Sequence, residues 1–143
     1  LTGHLDYCFA ASWHPTNDNI LVTGSQDKTA RIWDMRMTRQ CVQLLCGCMG
    51  PVRNITFSND GQFVAFSEPA DIVHVYRTDG QFPVATEQMI DLFGEICGIS
   101  FSNSDALGRN SLFVGVFDRA YNSILQFDRR CGGSSFLLDR TLF

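Results

Sequence analysis

Three apolar runs, CFAASW, VRNITF and ICGISF, close on Trp13, Phe57 and Phe101 at a constant interval of 44 residues (57 − 13 and 101 − 57). A chain that repeats on such an interval builds one supersecondary unit several times over, and no single unit can bury its apolar face alone. The same polar turn, Ser58-Asn59 and Ser102-Asn103, follows the second and third runs. Further apolar runs come next, Phe63 to Phe66 and Leu112 to Val116, then Ile72 to Tyr76 and Ile124 to Phe127. In the first unit the matching pieces are Ile20 to Thr23 and Thr29 to Trp33, joined by Gly24, Ser25, Gln26 and Asp27, residue types suited to a sharp reversal between strands. In Ile72-Val73-His74-Val75-Tyr76 the polar His74 faces opposite to Val73 and Val75, as in a half-buried strand. Candidate fourth strands are Gln40 to Leu45, Thr86 to Asp91 and Ser135 to Asp139. The expectation is an all-β chain of three four-stranded units, at 1–46, 47–91 and 92–143.

Composition narrows the function classes. A net charge of -4, with Arg129-Arg130 as the one adjacent basic pair, lacks the clustered basic face that a phosphate backbone demands, so nucleic acid is not an expected partner. No apolar segment is long enough for a membrane-spanning helix, and no membrane partner is expected. The chain opens on a repeat and without an initiator Met, which reads as an internal piece of a longer polypeptide. Six scattered cysteines, three of them inside apolar strand patterns where a thiol packs as a small hydrophobe, suit a reduced intracellular protein of cytoplasm or nucleus.

Gly3-His4 ahead of the first run and Trp33-Asp34 closing the third strand resemble the two signatures of a WD40 repeat. The phrases EPADIVHVY, DLFGEICGISFS and DRAYNSILQFDRR are similar, more narrowly, to uncharacterised WD-repeat proteins of fungi and plants. The resemblance implies three consecutive blades of a β-propeller, part of a ring usually of seven blades, used as a rigid platform for protein partners. Three blades cannot close a ring, which takes about four to eight, so two apolar blade faces should be exposed. Cys131 to Phe143 has no counterpart in the pattern.

The resemblance also implies a buried tetrad of His4, Thr23, Asp27 and Trp33, in which an imidazole and a carboxylate are chained to a hydroxyl and an indole N–H. The same residue types could be mistaken for a catalytic triad. A nucleophile must be exposed beside an oxyanion hole, however, and no G-x-S-x-G elbow occurs, so no enzyme activity and no cofactor is expected. On the 44-residue alignment the later repeats lose the tetrad: Cys48 and Leu92 replace His4, Phe66 and Gly115 replace Thr23, Ala70 stands opposite Asp27, and Tyr76 and Phe127 replace Trp33. These blades are expected to rely on aromatic packing. Cys46-Gly47-Cys48 has too short a spacer for zinc and no second ligand pair, so no metal is expected, and His14 reads as part of a surface turn.

Trp33-Asp34-Met35-Arg36 resembles the WD-x-R box of propellers that serve as substrate receptors of cullin-RING ubiquitin ligases, where the Arg would reach the adaptor. Its planar five-donor fork suits an acidic partner surface. Partner-binding candidates are therefore Asp34 and Arg36, together with residues just before each first strand and in the second-to-third strand turns. These are Leu5, Asp6 and Tyr7; Met49, Gly50 and Pro51; Phe93, Gly94 and Glu95; and Gln26, Glu68 and Arg119.

Overall fold

The computed structural model describes residues 1–78, 83–102, 110–118, 122–129 and 136–142. All regular structure among them is antiparallel β. In chain order the strands are β1 (Cys8–Trp13), β2 (Ile20–Ser25), β3 (Thr29–Asp34), β4 (Gln43–Cys46), β5 (Asn54–Phe57) and β6 (Phe63–Ser67). β7 (Ala70–Thr78), β8 (Pro83–Phe101), β9 (Ser111–Phe117), β10 (Asn122–Arg129) and β11 (Phe136–Leu142) complete them.

The first repeat forms its own sheet in the order β1-β2-β3-β4. The second and third are one seven-stranded sheet, β11-β10-β9-β8-β7-β6-β5, because the fourth strand of one and the first strand of the next are a single 19-residue strand. β8 pairs with β7 from Thr78↔Pro83 to Ala70↔Glu95, then with β9 from Glu95↔Phe117 to Phe101↔Leu112. The hand-over falls at Gly94, whose φ of 114° lies where a side chain is strained, and a Cβ there would stand 2.7 Å from Val116 Cγ1. The expected unit boundary at 91/92 thus lies inside an unbroken strand. β11 overlaps the candidate fourth strand Ser135 to Asp139 and runs on to Leu142, pairing with β10 from Arg129↔Phe136 to Ile124↔Leu142.

Period-2 alternation places the apolar side chains between successive blades. Ile20, Val22, Ala30, Ile32 and Leu45 of the first blade meet Val52, Ile55, Phe57, Val64, Phe66 and Tyr76 of the second. On its other face the second blade offers Phe63, Ala65, Val73, Val75 and Ile90 to Ile96, Phe101, Leu112, Val114, Val116, Phe127 and Phe136. The cores are therefore interfaces, and no blade has a core of its own. Two residues depart from expectation by joining these interiors. His74 is fully buried, stacked on Phe66 at 4.5 Å, and His14 is 2% exposed, edge-on to Phe57 at 4.9 Å. The described cysteines depart the other way: Cys8, Cys46, Cys48 and Cys97 are exposed, and Cys41 is half-buried.

The two end faces stay open. Phe9, Trp13 and Leu44 are exposed on the first blade, and Phe117, Ile124 and Leu137 on the third. Gly98 and Gly115 lie cross-strand in a furrow beside Phe113 and Ile124, and a Cβ on Gly98 would meet nothing within 4 Å. A polypeptide limited to residues 1–143 is expected to self-associate through these faces. Sedimentation velocity over a concentration series checks this, and a monomer mass that holds at every concentration would refute it.

Candidate functional site

In the first two blades the inner strand is preceded by a linker, and that linker is held to the turn between the second and third strands. In the first blade Trp33 Nε1–H donates to Thr23 Oγ1 at 2.8 Å, and Thr23 Oγ1 lies 2.7 Å from His4 Nε2. His4 Nδ1 lies 3.0 Å from Asp27 Oδ2. Read with a neutral imidazole, the chain runs indole N–H to hydroxyl, hydroxyl to Nε2, and Nδ1–H to carboxylate, and every donor is used. Asp27 also accepts the Leu5 N–H at 3.0 Å, the Thr29 N–H at 3.0 Å and the Thr29 hydroxyl at 2.5 Å. Burial alone would raise its pKa, but the hydrogen bonds from Thr29, Leu5 and His4 outweigh burial and hold it well below the usual carboxylate range. Four of the sequence candidates are thus brought together in one nearly buried network.

The second blade anchors its linker with different residues. Pairing of β6 with β7 sets Phe66 opposite His74, as pairing of β2 with β3 sets Thr23 opposite Arg31. On that register Ala70 does stand where Asp27 stands, and Lys28 and Asp71 take the same left-handed backbone, φ 65° and 67°. The carboxylate comes instead from Glu68, which occupies the place of Ser25. Its longer side chain reaches the linker. Oε1 accepts the Cys48 N–H and Oε2 accepts the Met49 and Gly50 N–H groups, all at 2.6 Å. His74 Nε2 lies 2.6 Å from Oε1. Glu68 and His74 are both 0% exposed, which corrects the expectation that Glu68 meets a partner protein. Four hydrogen bonds fill the acceptor sites of that carboxylate. Burial would raise its pKa, and the N–H groups of Cys48, Gly50 and Met49 with His74 overcome this and lower it. Aromatic packing is present too, Phe66 lying 5.9 Å from Tyr76, but it works alongside a polar network that positional alignment overlooked. The missed signal was the Glu68, six residues ahead of a strand His.

The anchored linkers lie together at the end of the sheets that carries the β2–β3 and β6–β7 turns. Gln26 N–H donates to Tyr7 O, Val52 N–H donates to Ser25 O, and Glu95 pairs with Ala70 in the sheet and with Arg53 Nη1 at 3.2 Å. From this end project Leu5, Tyr7, Met49 and Phe93, 89%, 76%, 65% and 99% exposed. Gln26 and Asp6 are exposed among them, and Arg119 lies outside the described residues. Asp34 and Arg36 sit at the opposite end of β3 and are not part of this face. Arg36 folds back on Asp34, with Nε 2.9 Å from Oδ1 and Nη2 2.6 Å from Oδ2. The Arg36 side chain and backbone N–H donors lower the Asp34 pKa to about 2.

Among the described residues, Cys48, Glu68 and His74 have potential ligand atoms within 4.8 Å of one another. No helix of the described residues is long and apolar enough to cross a membrane.

Residues 1–34 match the family model described as WD domain, G-beta repeat. Over 131 residues the chain is 28% identical to a guanine nucleotide-binding protein subunit beta of Oryza sativa subsp. japonica, covering 80% of this chain and 34% of that one. It is 32% identical over 96 residues to the nuclear distribution protein PAC1 of Arthroderma otae, covering 66% of this chain and 21% of the relative. The chain therefore spans about a third of the first of these curated relatives and about a fifth of the second. Among solved structures, a chain of the mitotic checkpoint complex superposes with a TM-score of 0.77 at 12% identity, over 99% of this chain and 41% of its own length. Sqt1 of Saccharomyces cerevisiae gives 0.76 at 21% identity, over 98% and 36%.

Asp27→Ala strands the His4, Leu5 and Thr29 donors and Glu68→Ala strands the Cys48, Met49, Gly50 and His74 donors, and each is expected to cost more than about 1 kcal/mol, measured by urea unfolding. Both carboxylates have folded pKa values below their ordinary 3.8 and 4.5. Their contribution is therefore complete above those values and lost as pH falls through the lower, folded ones. The urea midpoint is expected to drop as pH falls below about 4, and less steeply in Glu68→Gln; parallel curves would disprove the linkage.

Proposed function

We propose that this WD40-repeat chain, folded as part of a β-propeller, works as a non-enzymatic scaffold that binds other proteins through the end bearing Leu5, Tyr7, Met49 and Phe93. One observation carries the reading: four large apolar side chains, three from the linkers before β1 and β5 and one from β8, stand 65–99% exposed at this end. Folding gains nothing from leaving them in water, whereas a partner that covers them gains about 25 cal/mol for each Å² of apolar surface buried. Tyr and Phe are also suited to anchoring a contact, because they offer a large area with little rotamer freedom to lose. The two linkers are pinned by Asp27 and Glu68, and Phe93 stands on the paired strand β8, so little backbone ordering is left to oppose binding. The G-protein subunit beta and checkpoint-complex likenesses support a role among protein assemblies, with the partners of this chain its own.

A second reading, receptor for a cullin-RING ubiquitin ligase, draws support from Arg36. Its side chain is 61% exposed, and Asp34 fixes the guanidinium through Nε and Nη2 without using Nη1. A shallow recess lined by Arg36, Met37, Thr38, Arg39 and Gln40 lies beside it. The Asp34 chelate also weighs against this reading, because an acidic adaptor group would compete with a carboxylate already in place.

Affinity capture of the full-length protein from its own cells, followed by mass spectrometry, separates the two. Under the scaffold reading the double variant Tyr7→Ala/Phe93→Ala loses partners that wild type and Arg36→Ala retain, with an unchanged melting temperature. Loss of a cullin adaptor in Arg36→Ala alone selects the receptor. Full retention in the double variant refutes the proposed face.

A further inference from the structure

We propose that Cys48, His74 and Met89, with Glu68 behind them, form a binding site for a soft metal ion, and that Cu(I) is the ion it fits. The four residues come from the linker after β4, from β7, from β8 and from the β6–β7 turn, so no sequence motif connects them. The fold places Cys48 Sγ 4.0 Å from Met89 Sδ. Met89 is the cross-strand partner of His74. Potential ligand atoms of Cys48, His74 and Glu68 all lie within 4.8 Å of one another. With a metal–sulfur bond of about 2.3 Å, two sulfurs at that spacing subtend roughly 120° at an ion between them, a trigonal angle.

The donor set selects the metal. Thiolate and thioether are soft ligands that favour Cu(I), and imidazole accepts it, whereas Zn(II) takes Cys, His and carboxylate but has no use for a thioether. The inner half of the site is rigid: His74 is stacked on Phe66, and Glu68 is held by three backbone N–H groups. Gly47 permits this close approach, since a Cβ there would stand 2.9 Å from Glu68 Oε1 and 3.0 Å from Lys28 O. The outer half is open, with Cys48 exposed and Met89 57% exposed, which gives an ion a way in. On entry the Cys48 thiol gives its proton to solvent, and the imidazole exchanges its hydrogen bond to Glu68 Oε1 for the ion, keeping its single ring proton on the nitrogen that does not bind. The Glu68 carboxylate, keeping its backbone donors, remains as countercharge to the cation.

Competition with the chromogenic Cu(I) chelator bicinchoninate, run anaerobically on the full-length protein, tests the site. Wild type is expected to hold one Cu(I) equivalent that Cys48→Ser and Met89→Leu each hold at least tenfold more weakly. Cys8→Ser and Cys46→Ser should match wild type. All four positions are exposed, so unchanged melting temperatures separate lost binding from lost folding. Undiminished Cu(I) binding in Met89→Leu, or equal losses in Cys46→Ser and Cys48→Ser, would overturn the assignment, as would no binding by wild type.

Discussion

In the first two blades a carboxylate buried at the turn between the second and third strands holds the linker that leads into the inner strand, and the placing of that linker depends on it. Asp27 takes the N–H of Leu5 and the ring of His4, and Glu68 takes three successive N–H groups of residues 48–50. Linkers carry backbone donors that must find acceptors when the chain packs, and an ionised carboxylate satisfies several at once. Its own desolvation is offset by the same bonds. The exposed apolar residues beside these linkers are displayed from fixed positions for that reason.

The two anchors are chemically different solutions to one geometric need. The first uses a side-chain relay, Trp33 to Thr23 to His4 to Asp27, which ties strand, strand, linker and turn together. The second drops the relay and lets a longer acid, two places earlier in the turn, bond the linker's backbone directly. That substitution frees the position of Thr23 to become Phe66, and the Phe66 ring then stacks between His74 and Tyr76 in the interface with the first blade.

Much of the fold was legible in the sequence, since a 44-residue interval and strict alternation report backbone geometry directly. The strands around Trp13, Phe57 and Phe101 stand where the pattern sets them. Less legible was anything decided by side-chain reach. A strand His reads as polar and outward until its partner is known, and Glu68 is an ordinary surface acid by composition. Only the register that sets Glu68 level with Ser25 turns it inward. The continuity of β8 was hidden for a similar reason: Asp91 to Glu95 has the polar and glycine content of a loop, while pairing on both sides keeps it extended. Likewise the gathering of Cys48, His74 and Met89 comes from strand pairing, and spacing along the chain carries no trace of it.

β8 also sets how the chain divides into cooperative units. In repeat proteins stability behaves as a sum of unit terms and neighbour couplings. Between the first and second blades the coupling is side-chain packing with a few backbone bonds, such as Val52 to Ser25. Between the second and third it includes a strand common to both, and Glu95 is paired on either side. Fraying the outer edge of the second blade therefore strips the third of its inner edge in the same event. The three sequence repeats are thereby expected to unfold as two units, one blade and one pair.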